Sequence, residues 1–430
     1  MLRILIITNY YPPDMVGGYE KACADTVAYL ARQGHRVHIL SRAWISDTSG
    51  DTSANTSGDT SRAASDTVSD GAYADELSGV SLQRELLTID YQRPRYRQKW
   101  AVERQNYACT AQAIQAFQPQ VIYLWSQRGI SLAPVYAAED SGVPCVFEIG
   151  DIWPDSYFKT GWKAALRRRI KAALPFLQQR VLHMPHVISV SQWMAEELST
   201  RYRVGELSVI PNGTPLPPDS GTCAPFANAV SEPVLRPVSR YGIERALFVG
   251  RLDPEKGVLE ALQALALLRQ QGYRVSLDIA GTGDAQYLAR CQQFVQAQAL
   301  GEHVRFLGWQ DAATLYPRYQ LLLMPTSMRE PFGLVVIEAM MHGLNVIAPA
   351  AYGPAEIITP AQTGWLFSTS ASVPPAAAVA RVWKQLIQDP LQAERVGQQA
   401  AAHARVHYAL DRVKAQVLQV LQQTAQKVEV

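Results

Sequence analysis

Short, uninterrupted apolar runs recur along this chain, and segments with helical periodicity lie between them. Strands that helices cover on both faces of a parallel sheet have this bulk-apolar character. The first run is followed by a helical pattern over 19–33 that Gly34 can end. The alternation therefore predicts βαβ units and doubly wound parallel sheets. In the first half of the chain the predicted strands are Leu2 to Thr8, Val37 to Leu40, Val121 to Trp125, Val143 to Ile149 and Val187 to Val190.

Two irregular stretches divide the chain, whose 430 residues are enough for two or three domains. Residues 44–74 consist largely of Ser, Thr, Asp, Gly and Ala, which cannot bury a core, so a disordered surface loop is predicted there. Residues 216–243 are irregular and rich in Pro, Ser and Ala, and βα repeats resume after them. The sequence thus predicts an N-terminal domain over 1–215, a linker over 216–243, a second domain over 244–405 and a C-terminal helix over 406–430.

Composition restricts the class of protein. The net charge of +2 does not indicate a general polyanion binder, so no nucleic-acid partner is expected. The five cysteines are widely spaced and form no metal-binding motif, which favours reduced core residues in a cytoplasmic protein. Because no apolar run approaches 18 residues, no membrane-spanning helix is expected.

The segment 327–343 places two carboxylates around a predicted helix start. Glu330 follows the apolar run Leu321 to Met324, whereas Glu338 falls in the helix that Gly343 can end. Between them Gly333, Leu334 and Val335 offer backbone N–H groups at a helix N-terminus, where anions bind. Glutamates near helix starts are often simply solvated, which is the alternative interpretation. A ligand with phosphates on one side and hydroxyls on the other would suit the arrangement.

A second loop supplies positive charge. The strand Ala246 to Gly250 runs into a turn punctuated by Pro and Gly that carries Arg251 and Lys256. Two cations on such a βα loop are suited to a diphosphate, and an arginine can bind it with two parallel hydrogen bonds. Either cation alone could be an ordinary surface charge. Together with the carboxylates, they indicate a nucleotide sugar as the ligand.

Two segments of the first half are further candidates. Gly17 and Gly18 follow the first strand, where missing side chains allow backbone to approach a ligand, although a simple turn would also use them. Asp151 follows the strand that ends at Ile149, and its alternative role is that of an N-cap or loop acid. The first helix lacks G-x-G-x-x-G, which argues against a dehydrogenase.

The pairing of VGRLDPEKGV with EPFGLVVIEAMMHG resembles the retaining glycosyltransferases of family 4. The resemblance continues at 279–283, 304–308 and 352–358, and more weakly at 15–20 and 209–213. It implies the GT-B fold, an α/β architecture of two Rossmann-like, doubly wound parallel-sheet domains that face a central cleft. It also implies that the second domain holds the sugar nucleotide, that the first holds most of the acceptor site, and that the final helix crosses back to the first domain.

The resemblance implies roles for individual residues, a UDP- or GDP-linked donor and retention of anomeric configuration. Catalytic roles fall on Arg251, Lys256, Glu330 and Asp151. Donor binding falls on Gly17, Gly18, Gly281, Leu307, Phe332, Gly333, Leu334, Val335 and Glu338. Family members often carry His or Asp at the position of Asp151, and here no His stands beside it. No metal and no cofactor are expected, because the two cations replace a metal ion and the sequence has no Asp-x-Asp motif.

The acceptor is expected to be a saccharide or a lipid-linked molecule of glycan or cell-envelope synthesis. Residues 162–181 have apolar positions at helical spacing and cations largely off that stripe, and 93–100 adds basic and aromatic residues. Such a helix can rest on an anionic membrane, which predicts peripheral contact with its inner face. The alternative is a core-packing helix with a solvated cationic face. Alternative functions on the same fold are a non-catalytic nucleotide-sugar-binding protein, an epimerase or a phosphorylase.

Overall fold

The computed structural model describes residues 1–14, 17–43, 77–88, 96–158, 182–217, 243–370 and 373–427. These residues divide into two compact units. The first contains the described residues up to Pro211 together with those from Val413 onward, and the second runs from Asn212 to Arg412. Three predicted segments lie outside the described residues: the loop at 44–74, most of the linker, and the helix at 162–181.

The first unit contains a parallel sheet of seven strands among the described residues, in the order β3-β2-β1-β4-β5-β6-β7. Its strands are β1 (Arg3–Ile7), β2 (Arg36–Arg42), β3 (Val80–Leu86), β4 (Val121–Leu124), β5 (Cys145–Ile149), β6 (His183–Ser189) and β7 (Arg203–Val209). Its helices are α1 (Gly18–Arg32), α2 (Tyr96–Phe117), α3 (Ala133–Asp140) and α4 (Gln192–Arg201). The order reverses direction between β1 and β4, as in Rossmann-like folds.

Alternate residues of β1 enter two separate cores, one on each face of this sheet. Ile4 and Ile6 pack in the core that contains residues of α1, whereas Leu5 and Ile7 pack in the core that contains residues of α2. All four are fully buried. This two-sided burial explains the uninterrupted apolar run in the sequence.

The second unit contains a parallel sheet of six described strands in the order β10-β9-β8-β11-β12-β13. Its strands are β8 (Arg245–Val249), β9 (Ser276–Ala280), β10 (Val304–Gly308), β11 (Leu321–Leu323), β12 (Asn345–Pro349) and β13 (Trp365–Phe367). Its helices are α5 (Val258–Gln270), α6 (Ala285–Ala297), α7 (Ala312–Leu315), α8 (Leu334–Met341), α9 (Tyr352–Ile357), α10 (Pro375–Gln388) and α11 (Pro390–His407). The prediction of two doubly wound parallel sheets is confirmed.

Two strands of the first unit have no counterpart in the sequence prediction. β3 and β7 are the edge strands of their sheet, and most of their residues are exposed or only partly buried. They therefore lack the apolar run from which buried strands can be recognised.

The last helix, α12 (Leu410–Gln426), begins later than the predicted segment at 406. Val413, Val417 and Leu421 of this helix join the core that contains Ile4 and Ile6 of β1. The division between the units falls inside α12, after Arg412. The predicted domain limits at 215 and 405 therefore differ from the observed divisions after Pro211 and Arg412.

Four of the five cysteines lie in the described residues, and all four are buried and free: Cys23, Cys109, Cys145 and Cys291. Their burial agrees with the predicted reduced core residues, and the Cys109 thiol also donates to the Glu85 carboxylate at 3.4 Å. Among the described helices, none is both long enough and apolar enough to cross a membrane.

Candidate active site

The loop after β8 holds its two cations through local capping. The Asp253 side chain accepts a hydrogen bond from the Lys256 backbone N–H at 3.0 Å and so begins a short 3₁₀ turn over Pro254–Lys256. Gly257 has a φ of 81°, a left-handed conformation that suits glycine, and α5 starts directly after it. The Arg251 guanidinium lies 3.2 Å from Asp253, and 58% of its side chain is exposed.

The loop after β11 is bonded to the loop after β8, because β8 and β11 are neighbours in the sheet. The Thr326 hydroxyl and the Ser327 backbone N–H each donate to the Glu255 carbonyl, the latter at 2.9 Å. The Lys256 ammonium and the Glu330 carboxylate form an ion pair of 2.8 Å, with 23% and 16% of their side chains exposed. The structure thus brings together two predicted catalytic residues that lie 74 positions apart.

Gly333 begins α8 with a φ of 105°, which side chains rarely adopt. The N–H groups of Leu334 and Val335 open this eight-residue helix, where the first N–H groups have no acceptor within the helix. Phe332 does not extend into solvent, because it is buried with its ring 6.0 Å from the ring of Tyr408. The helix start therefore carries no side chain at Gly333, and the preceding Phe332 is packed against Tyr408.

Glu338 lies in the second turn of α8 and is held by a residue that sequence analysis missed. The buried Tyr316 hydroxyl donates to its carboxylate at 2.9 Å. Burial and the neighbouring carboxylate raise the pKa of Tyr316 well above its ordinary value, so the phenol remains a neutral donor. The His342 ring lies 5.3 Å from the Tyr316 ring and stands within hydrogen-bond distance of the Glu338 carbonyl. An apolar sequence context could suggest that Tyr316 is buried, but it does not identify this partner.

Gly281 allows the ends of three adjacent strands to approach closely. A Cβ at Gly281, whose φ is 144°, would collide with the Gly250 carbonyl at the end of β8. The Gly281 N–H donates to the carbonyl of Gly308 in β10 at 2.7 Å. Leu307 precedes that residue and is partly buried. These contacts give Gly281 a structural role at the carboxyl edge of the sheet, and donor binding by it stays a prediction.

In the first unit, Gly17 and Gly18 lie at the start of α1. The Gly17 N–H donates to the Glu20 carboxylate at 2.9 Å, which forms part of a capping box. No atom lies within 4 Å of a Cβ built on Gly17. Space alone therefore does not require glycine at 17, and a ligand contact there stays a prediction.

Asp151 follows β5 and has two partners. Its carboxylate pairs with the Arg128 guanidinium at 2.8 Å and accepts the Trp153 backbone N–H at 3.1 Å. Burial raises the pKa of the Asp151 carboxyl, and both partners act in the opposite direction. The bond to Trp153 fits the structural role of a loop acid, while 42% of the side chain remains accessible to a ligand. Arg128 is a second residue that sequence analysis did not single out.

Comparisons with known proteins agree on one family. The model of Glycosyltransferase Family 4 matches residues 16–216, and the model of Glycosyl transferases group 1 matches residues 241–403. The glycogen synthase of Mycobacterium tuberculosis is 27% identical over 417 residues, covering 92% of this chain and 88% of that protein. The phosphatidyl-myo-inositol mannosyltransferase of Mycolicibacterium smegmatis is 31% identical over 251 residues, covering 56% and 59%. The structure of Anabaena Alr3699/HepE in complex with UDP and glucose shares the fold, with a TM-score of 0.66 and 20% identity over 98% of this chain and 100% of that one.

Proposed function

The chain belongs to glycosyltransferase family 4 and has the GT-B fold, and on this premise we propose that it moves a sugar from a nucleoside diphosphate sugar to a saccharide or lipid-linked acceptor with retention of configuration. The observation that carries the proposal is the ion pair that joins Lys256, on the loop after β8, to Glu330, on the loop that leads from β11 to the N-terminus of α8. Two neighbouring strand ends thus offer a cation, a carboxylate and helix N–H groups, which match a diphosphate joined to a polyhydroxylated ring.

The chemistry follows from charge. Cleavage of the anomeric bond leaves a negative diphosphate and an oxocarbenium-like sugar. Arg251, Lys256 and the first N–H groups of α8 stabilise the leaving group as its charge grows. Glu330 holds the sugar hydroxyls, and its pairing with Lys256 keeps both side chains in place before the substrate arrives.

Glu338 is assigned to the ribose diol of the nucleotide. A carboxylate can accept two hydroxyl hydrogen bonds, and Tyr316 fixes its orientation from the buried side. The departing phosphate takes the proton of the acceptor hydroxyl on the face from which it leaves, which accounts for retention. Arg251 and Lys256 supply the positive charge, so no metal ion takes part in this scheme and no cofactor is needed.

The acceptor side is assigned to the first unit, with Asp151 as its candidate catalytic carboxylate and Gly17 and Gly18 as its candidate substrate contacts. The mannosyltransferase relative is named for a phosphatidyl-inositol acceptor, which supports a lipid-linked acceptor here. On α2, Trp100 is 59% exposed. The Arg104 guanidinium lies over the Trp100 indole, 4.8 Å from the centroid of that ring. This exposed basic and aromatic face supports peripheral contact with an anionic membrane.

A donor screen tests the proposal. UDP-glucose, UDP-galactose and GDP-mannose are added singly, and the thermal unfolding midpoint is measured for the wild type, Lys256→Ala and the matched control Lys384→Ala, whose lysine bonds Gln271 elsewhere in the second unit. We expect one donor to raise the midpoint of the wild type and the control but not that of Lys256→Ala. NMR of the transfer product then reports its anomeric configuration. If none of the three donors raises the midpoint of the wild type, or if the product has the inverted anomeric configuration, the proposal is contradicted.

A further inference from the structure

Tyr19 joins the two candidate segments of the first unit. It is the second residue of α1, directly after Gly18. Its hydroxyl donates to the Glu148 backbone carbonyl in β5 at 2.6 Å. Its ring covers Gly150, where an added Cβ would collide with ring atoms Cδ2 and Cε2. Since Asp151 is the next residue, one side chain of α1 lies against the backbone that leads to the candidate catalytic carboxylate.

Behind Tyr19 lies a buried cluster with two opposite charges. The Glu148 side chain is 4% exposed and accepts the hydroxyl of Tyr123. Lys414 of α12 is 3% exposed, and its ammonium lies 6.0 Å from the centroid of the Trp125 ring. That indole in turn meets the Tyr19 ring edge-to-face at 5.1 Å. The ring of Tyr19 is thus backed by Trp125, directly after β4, and Lys414 of α12 lies against Trp125 in turn.

The two buried charges depend on each other. Burial raises the pKa of Glu148 to about 7 and lowers that of Lys414, while each charge favours the ionised form of the other. Above the pKa of Glu148, removing Lys414 leaves an uncompensated carboxylate in the interior, which is costly. Their retention next to Tyr19 stabilises one arrangement of the cluster.

We propose that Tyr19 is a positioning residue that holds the Asp151 loop against the first turn of α1, and that Glu148 and Lys414 keep Tyr19 in place. The inference rests on the proposed function only in giving Asp151 a substrate contact. Tyr19 fixes the backbone at 148 by a hydrogen bond and at 150 by its ring, whereas Arg128 and Trp153 fix the Asp151 carboxylate. Small displacements of a reacting group can lower turnover strongly, so such a brace affects kcat more than donor KM.

A double-mutant cycle tests the contact between the Tyr19 ring and Gly150. Gly150→Ala adds a methyl group against the Tyr19 ring, and Tyr19→Ala removes that ring. We expect each change to speed amide hydrogen exchange over 149–153 by about 10-fold, because the loop opens more readily. The double variant should be no worse than Tyr19→Ala alone, because the added methyl group then has space. If the effects of the two changes on exchange over 149–153 add in the double variant, the contact between Tyr19 and Gly150 is not their cause and the inference fails.

Matched controls separate positioning from general packing. Tyr29→Ala removes another buried tyrosine of α1, so it should lower the unfolding midpoint and leave exchange over 149–153 unchanged. Tyr19→Phe keeps the ring and loses only the hydroxyl, so it should show a smaller effect than Tyr19→Ala. If Tyr29→Ala speeds exchange over 149–153 as much as Tyr19→Ala does, the brace is not specific and the inference fails.

Activity supplies the second readout. With the donor found for the wild type, Tyr19→Ala should lower kcat about 10- to 100-fold and change donor KM by less than about 3-fold. A loss that lies in KM instead would overturn the positioning role. Faster exchange in Tyr19→Ala together with full turnover in Asp151→Asn would retain the brace but refute the proposed role of Asp151, so the two failures are distinguishable.

Discussion

At the scale of single residues, the structure changes how the predicted cations must be interpreted. Lys256 forms an ion pair with Glu330 on the neighbouring loop, whereas Arg251 is largely exposed and pairs with Asp253 of its own loop. Removal of Lys256 leaves the carboxylate of Glu330, 16% exposed, without its cation, whereas removal of Arg251 leaves Asp253, 25% exposed, which still accepts the Lys256 backbone N–H. The two variants test the same diphosphate but with different side effects.

Arg251→Ala and Lys256→Ala should each lower transfer by about 100-fold or more, the scale of one preorganised charge contact. Lys256→Ala should also lower the unfolding midpoint, and the added change Glu330→Gln should recover part of that stability. Steady-state kinetics and thermal unfolding check both statements, with Lys384→Ala as control. Near-normal turnover in both alanine variants would contradict the diphosphate assignment.

Excess EDTA should leave the turnover of the wild type unchanged, because Arg251 and Lys256 supply the positive charge in the proposed scheme.

The two carboxylates should separate in function. Glu338→Gln is expected to weaken binding of the free nucleoside diphosphate, and Tyr316→Phe should weaken it in the same direction by about 10-fold, the scale of one hydrogen bond to a charged group. Glu330→Gln should lower kcat with little effect on the free nucleotide. Calorimetric titration with UDP and GDP measures the difference. Equal losses of nucleotide affinity in both glutamine variants would show that their roles are wrongly divided.

The raised pKa of Glu148 predicts that the stability of the folded protein depends on pH. Burial raises its pKa from 4.5 to about 7, against the effects of Lys414 and Tyr123. The folded state therefore retains the proton when the unfolded state has lost it, so this stabilisation is complete below pH 4.5 and is lost as pH rises through 7. Over this range the contribution of Glu148 to the free energy of unfolding falls by about 3 kcal/mol. The midpoint of Glu148→Gln relative to wild type should thus rise from pH 5 to pH 8, and parallel pH curves for the two proteins would refute this.

At the scale of elements, the carboxyl ends of β8, β9 and β11 meet through backbone contacts. Gly257 lies against the carbonyl of Pro325, just as Gly281 lies against that of Gly250. The motif glycines could be located in the sequence, but their neighbours could not, because a periodic pattern carries no information on which strands are adjacent. The adjacency of β8 and β11 brings Lys256 to Glu330.

Gly281→Ala should therefore impair the second unit before any ligand is considered. The new methyl group would meet the Gly250 carbonyl, and the φ of 144° is unfavourable for alanine. We expect a lower unfolding midpoint and weaker donor binding. Gly301→Ala is the control, because no atom lies within 4 Å of a Cβ there. If Gly281→Ala keeps the wild-type midpoint and loses only affinity, the glycine serves the ligand directly.

At the scale of the whole molecule, the chain returns to its first unit at the end. Val413, Val417 and Leu421 of α12 are buried against β1 and α1, together with the charged Lys414. Each such apolar side chain contributes about 1.5–3 kcal/mol by burial. The first unit is thus completed by residues more than two hundred positions away from the rest of it.

A chain that ends at Tyr408 should consequently lose stability in the first unit. Hydrogen exchange of β1 and α1 should rise strongly, whereas α5 and β9 in the second unit should change little. A second truncation after Gln426 retains α12 and serves as control. Unchanged protection of β1 in the shorter chain would show that α12 contributes little to this core.

Local periodicity and motifs contiguous in the chain were enough to predict the class of fold, the strands buried on both faces, the βα loops that carry charge and the family. The remaining features could be seen only in the folded chain. The edge strands β3 and β7, the hold of Tyr316 on Glu338, the Lys256–Glu330 pair and the position of Tyr19 over Gly150 all depend on which segments become neighbours. Long-range contacts of this kind arise from packing, and no spacing within one segment encodes them.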